Sequence, residues 1–149
     1  MADDWTGSVT DLTATYTRTV TAEDIARFAE LSGDDYEAHT DPQVMAASAF
    51  GGIIAHGALL VGYMSAAGTR AIRVAQERGN TSTPVALGYE RMRFVAPVFP
   101  GDTVTVSYTV TSVDSERHRS LADIAVTNQS GTTMAVAEHI MKWLPNTTV

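Results

Sequence analysis

At 149 residues the chain is long enough for one domain with a sizeable apolar core. Hydrophobic residues make up 44% of it and charged residues 18%, the balance of a soluble globular protein and not of a disordered one. The net charge of −7, with ten scattered Lys and Arg, argues against nucleic acid as a partner, because neutralising phosphates dominates that affinity; a small polyanion remains compatible. The absence of Cys excludes disulfides, thiolate catalysis and Cys-based metal sites.

The first residues, Met1-Ala-Asp-Asp-Trp5, are acidic and carry no apolar run, so no signal peptide is expected. Thr13–Val20 is rich in β-branched and aromatic residues and predicts a first strand. Thr21 followed by Asp24 predicts a helix start of the capping-box kind; Ile25, Phe28 and Ala29 then share one face, and Gly33 ends the helix. Gly33–Asp41 reads as a polar loop dense in carboxylates, and Pro42 opens a short helix to about Ala49.

Gly51-Gly52 breaks the chain again. From about His56 to Glu77, Leu59, Leu60, Tyr63, Met64, Ala67, Ile72 and Ala75 recur at helical spacing, and Val61 and Ala66 widen the stripe. This helix is expected to be buried on most sides. The apolar stretch from Ile53 to Ala67, interrupted by His56, is too short to span a bilayer, which with the missing leader points to a cytoplasmic protein. Val85–Val95 is a strand candidate. Thr103–Val113 alternates, with Val104, Val106, Tyr108 and Val110 on one face and Thr103, Thr105, Ser107, Thr109 and Thr111 on the other. Ser120–Asn128 and Thr132–Leu144 read as two further strands joined at Gln129-Ser130-Gly131. No repeat or linker divides the chain, so residues 1–149 are expected to form one α+β domain: a five-stranded, mostly antiparallel sheet wrapped around one long helix.

Two segments could carry chemistry. In Gly33-Asp34-Asp35-Tyr36-Glu37-Ala38-His39-Thr40-Asp41, a carboxylate stands five residues before an imidazole, close enough for both to act on one substrate atom or one water. The same residue types also cap and turn loops, and Asp34, Asp35, Glu37, His39 and Asp41 offer metal ligands, though at a spacing matching no specific metal motif. In Phe50-Gly-Gly-Ile-Ile-Ala-His56-Gly57, glycines at the start of a buried helix leave N–H groups aimed where negative charge is favoured. Tight packing is the plainer explanation of such glycines, and a structural histidine that of His56.

Taken together, Phe28-Ala-Glu-Leu-Ser-Gly-Asp34, His39-Thr-Asp41-Pro42, Phe50-Gly-Gly-Ile-Ile-Ala-His-Gly57 and Arg93-Phe94-Val-Ala-Pro97-Val98-Phe-Pro-Gly101-Asp102 resemble the MaoC-like hydratase/dehydratase family in order, over roughly Thr13 to Leu144. The resemblance implies a hot-dog fold, a homodimer with sheets joined edge to edge, and addition of water to a trans-2-enoyl thioester to give the (R)-3-hydroxyacyl thioester, or the reverse. It implies Asp34 and His39 as the groups that activate water and exchange the α-proton, Gly57 as N–H donor to the thioester oxygen, and Ser65, eight residues after Gly57, as support for Asp34. His56 and Tyr36 are further candidates for contact with substrate. The implied partner is acyl-CoA or an acyl carrier protein thioester, with Arg70, Arg73, Arg91, Arg93, Arg117 and Arg119 available to phosphates; no cofactor and no metal are implied.

One departure stands out. The family pattern Asp-x-Asn-Pro-x-His is here filled by Tyr36 and Glu37 in place of Asn-Pro. The phenol is far larger than the carboxamide, and the Glu adds charge beside His39. Both changes favour a neutral branched or aromatic acyl group able to pack on Tyr36. Among rival readings, hot-dog thioesterases use a carboxylate on the long helix, yet no Asp or Glu lies between Asp41 and Glu77. A non-catalytic acyl-thioester-binding subunit would not need the Asp34/His39 pair.

Overall fold

The structure, a computed structural model, describes residues 5–146. Most of the acidic start Met1-Ala-Asp-Asp-Trp5, read above as no leader, lies outside the described residues. The elements run α1 (Trp5–Val9), β1 (Thr13–Thr19), α2 (Ala22–Ser32), α3 (Glu37–Thr40), α4 (Pro42–Ala46), α5 (Gly57–Glu77), β2 (Thr83–Phe94), β3 (Thr103–Asp114), β4 (Arg119–Thr127) and β5 (Thr133–Leu144). The strands form one sheet in the order β1-β3-β4-β5-β2, every neighbouring pair antiparallel. With α5 laid against it, this is the hot-dog fold.

The alternation in β3 decides which face meets the helix. Val104, Val106, Tyr108 and Val110 are buried, and the register sets Val106 opposite Val126 and Val126 opposite Ala135, so three strands present apolar residues in one row. From α5, Leu60, Met64, Ala67, Ala71 and Ala75 join the same cluster. Small residues on this stretch let the helix axis approach the sheet closely, while each fully buried large side chain contributes about 1.5–3 kcal/mol.

The segment before α5 is held by local chemistry. Thr21 caps α2 through Asp24, and both halves of the capping box are present. Asp24 also accepts two bonds from the Arg18 guanidinium, at 2.6 and 3.1 Å, which ties α2 to β1. That cation holds the Asp24 carboxyl below its usual value. Gly33 closes α2 at φ 80, a left-handed conformation that favours glycine, and so fixes the direction in which the chain departs toward Asp34.

Besides one-residue shifts at strand ends, four features differ from the sequence reading. The loop Gly33–Asp41 contains a helical turn, α3, because the Tyr36 carbonyl accepts both the His39 N–H and the Thr40 hydroxyl. The next helix stops at Ala46, not Ala49. The long helix begins at Gly57, with His56 as its N-cap residue. Strand β2 begins at Thr83 and so includes Pro84. A proline is tolerated there because β2 is an edge strand paired only with β5, leaving one side without a ladder to break. Helix α1 escaped notice because its five residues form no periodic pattern. Tertiary contacts hold it, with Trp5 stacked on His118 and on Trp143.

Candidate active site

Three of the sequence-derived residues converge where the α2–α5 segment folds back on itself. One Asp34 carboxylate oxygen, one His39 ring nitrogen and one His56 ring nitrogen all lie within 4.8 Å of one another. Asp34 reaches this point from the C-terminal end of α2, His39 from the one-turn helix α3, and His56 from the residue before α5.

Each imidazole has a defined tautomer. The His39 Nδ1 lies 2.8 Å from the Ile54 carbonyl, and a carbonyl only accepts, so Nδ1 carries a proton and Nε2 is the nitrogen where a lone pair can stand. The His56 Nε2 lies 2.9 Å from the Asp34 carbonyl and by the same reasoning donates to it. The two rings stack at 3.7 Å and 22°. Their in-plane lone pairs therefore lie in nearly parallel planes, whereas two nitrogens binding one ion at about 2.1 Å must point at a common centre. The cluster suits a shared water or proton better than chelation.

A pocket of ≈ 340 Å³ opens beside His39, lined also by Phe50, Leu60, Phe94, Val98 and Gly57. Gly57 is the first residue of α5, whose opening N–H groups have no partner inside the helix and lie at the positive end of its dipole. A Cβ at Gly57 would stand 2.6 Å from the Phe94 ring. The glycine is thus required for Phe94 to lie against the backbone at the pocket. A larger hollow of ≈ 410 Å³ on the opposite face of the sheet is lined by Ser107, Thr109, Asp123 and Glu138 among others. It has carboxylates but neither an imidazole nor a helix N-terminus.

The remaining candidates fall outside that pocket. Tyr36 is exposed, with its ring edge-on to His39 at 6.2 Å. His56 is only 1% exposed and does not line the pocket. Ser65 is exposed on α5 and does not line the pocket. Phe28, which the sequence reading placed on the apolar face of α2 and in one of the quoted motifs, meets His56 edge-on at 4.8 Å. The sequence reading missed the Ile54 carbonyl, a backbone group that no side-chain pattern announces. Phe94 carried a signal, since it stands in one of the quoted motifs. A third histidine, His139, lies well away from this site. It is buried among Tyr89, Tyr108 and Gly68, its Nδ1 is 2.9 Å from the Tyr108 hydroxyl, and burial pushes it down to about 4.

Comparison with known proteins gives the family. The family model described as MaoC like domain matches residues 8–134. The chain belongs to the MaoC-like family. Among MaoC-like relatives, it is 31% identical over 121 residues to an (R)-specific enoyl-CoA hydratase of Aeromonas caviae, covering 81% of this chain and 84% of that one. It is 38% identical over 103 residues to Protein MaoC of Klebsiella aerogenes, covering 69% of this chain but only 29% of the Klebsiella protein. The solved (R)-hydratase from A. caviae involved in PHA biosynthesis superposes with a TM-score of 0.76 at 29% identity, over 91% of this chain and 96% of the other. A MaoC-like hot-dog domain related to enoyl-CoA hydratases is therefore established for this chain. Among the described residues, no helix is long and apolar enough to cross a membrane.

Proposed function

We propose that this protein hydrates a trans-2-enoyl thioester to the (R)-3-hydroxyacyl thioester, or catalyses the reverse dehydration, with Asp34 and His39 as catalytic residues. The observation that carries the reading is the convergence of the Asp34 carboxylate and the His39 imidazole within 4.8 Å, beside a pocket that also contains the first residue of α5. In the forward direction the His39 Nε2 lone pair takes a proton from water as its oxygen bonds to the β-carbon. The double-bond electrons move toward the thioester carbonyl, and the developing oxyanion is held by the Gly57 N–H at the positive end of α5. The Asp34/His39 pair then returns the proton to the α-carbon. One water has been added across the double bond, and the pair ends as it began.

The thioester carrier is acyl-CoA or an acyl carrier protein, and the working unit is a homodimer joined along a free sheet edge. Two features support the dimer. Strands β1 and β2 are the outer strands of the sheet, and β2 exposes Val85, Leu87 and Phe94, whereas an uncovered apolar edge is a liability in a monomer. The thioesterase reading lacks support, because α5 carries no carboxylate before its final residue, Glu77. The test is turnover of a panel of aliphatic, branched and aromatic enoyl-CoAs, followed as loss of the conjugated thioester absorbance, with chiral analysis of the product. Formation of the (R)-alcohol is the expected result; hydrolysis to free coenzyme A, or no reaction across the panel, would sink the proposal.

A further inference from the structure

His56 is left without a task by the chemistry above. At 1% exposure it does not present itself to a substrate beside His39, yet it touches both members of the catalytic pair. Its Nε2–H donates to the Asp34 carbonyl at 2.9 Å, and its face lies on the His39 ring at 3.7 Å. Its other neighbours hold it still: Phe28 meets it edge-on at 4.8 Å, and its own carbonyl accepts the Leu59 N–H at 3.1 Å, locking it to the first turn of α5.

We propose that His56 is a positioning residue that sets the separation and orientation of Asp34 and His39 from one buried ring. The inference rests on the hydratase reading and assigns His56 a role within it other than substrate contact. The physical case begins with what each catalytic group lacks. Asp34 is exposed and lies between Gly33 and α3, outside any helix or strand, where a segment fluctuates unless its backbone is tied down. The Asp34 N–H donates locally to the Ser32 hydroxyl at 3.1 Å; the bond from His56 ties its carbonyl to the end of a 21-residue helix packed into the core. His39 is fixed at Nδ1 by the Ile54 carbonyl, but one hydrogen bond leaves the ring free to tilt about it. The stacked face of His56 removes that tilt and so aims Nε2. A misplacement of about 1 Å between reacting groups costs on the order of 100-fold in rate, so an anchor of this kind acts on turnover more than on substrate affinity.

Imidazole offers both an N–H on its rim and a flat face, and the two can be removed separately. His56→Phe keeps the face and loses the donor; His56→Gln keeps an N–H donor and loses the face. In each variant kcat for enoyl-thioester hydration is expected to fall roughly tenfold to 100-fold while KM changes by less than about twofold. Phe28→Leu, which loosens the support of His56 without altering it, gives a smaller fall of the same kind and serves if either ring variant fails to fold by circular dichroism.

A second measurement needs no substrate. The His39 Nδ1 proton, held on the Ile54 carbonyl, is expected to exchange slowly with solvent in the NMR spectrum of the parent and faster in all three variants. If the parent hydrates no thioester, the hydratase reading fails while this exchange measurement still judges the positioning role. A rise in KM at constant kcat would instead make His56 a substrate contact. Folded variants with parental kcat, KM and exchange would reduce it to packing. Either result overturns the proposal.

Discussion

His39 and His56 stack beside a pocket at the start of α5, whereas His139 lies about three turns along the same helix, beneath Gly68 and against Tyr108. All three are imidazoles touched by aromatic rings. At the first site one nitrogen of each ring faces a backbone carbonyl, the His56 Nδ1 is buried without a hydrogen-bond partner, and His39 lies at a pocket. At the second the Nε2 has no hydrogen-bond partner, and burial drives the ring to its neutral form. The same side chain thus borders a pocket in one place and is sealed in the core in the other. The difference comes from solvent access and from which backbone groups face the ring, both set by the tertiary fold.

The sharpest way to break this comparison is to remove the reactive groups. Asp34→Asn and His39→Ala are each expected to lower enoyl-thioester hydration about 100-fold or more, the scale of a lost acid–base group. The fold should survive, since the principal structural loss is the His39–Ile54 bond, worth about 1 kcal/mol. Turnover measured beside thermal unfolding separates the two effects, and near-parental turnover in either variant would remove that residue from the mechanism.

The second expected effect belongs to His139. Its folded-state value, about 4, lies below the usual 6.5, so between these limits the unfolded chain binds a proton that the folded chain refuses. Stability from this group is therefore fully present above pH 6.5 and lost as the pH falls to about 4, by roughly 3 kcal/mol at most. Urea unfolding across that range is expected to show the decline, and to show less of it in His139→Gln. An equal decline in both proteins would mean that His139 is not the source.

Gly57→Ala sharpens the contrast at the pocket. Its new methyl would meet the Phe94 ring at 2.6 Å, and because Phe94 is half-exposed the ring can be displaced at little cost in stability. Displaced into the pocket, it is expected to reduce kcat/KM about tenfold, a loss of roughly 1.4 kcal/mol in transition-state binding. Phe94→Ala in the same chain should restore most of it. Failure of the second change to rescue the first would show that Phe94 is not what Gly57 accommodates.

The smallest effect concerns Tyr36 and Glu37. Tyr36 stands outside the pocket, edge-on to His39, and Glu37 opens the one-turn helix that carries His39. An aromatic or branched acyl group lying across the Tyr36 ring would gain about 0.5–1.5 kcal/mol, a two- to tenfold preference. In Tyr36→Asn with Glu37→Pro, the ratio of kcat/KM for a bulky enoyl-CoA to that for crotonyl-CoA should fall accordingly. An unchanged ratio would leave the two residues the task of building α3 alone.

Much of this protein was written in its sequence. The alternation in Thr103–Val113, the apolar stripe from Leu59 to Ala75 and the cap at Thr21 announce elements directly, because burial periodicity and capping act within a few residues of chain. The four motifs from Phe28 to Asp102 did the same for the family, and put forward Asp34, His39 and Gly57 as candidates. Tertiary structure alone decided the rest. It stacked His56 on His39, gave both rings backbone carbonyls as partners, laid Phe94 on Gly57, left Ser65 exposed, stabilised the short helix at Trp5 through Trp143, and buried His139 with Tyr108. Carbonyl oxygens have no letter in a sequence, and contacts such as Trp5 to Trp143 span nearly the whole chain, so only the folded arrangement of helix and sheet could bring them together.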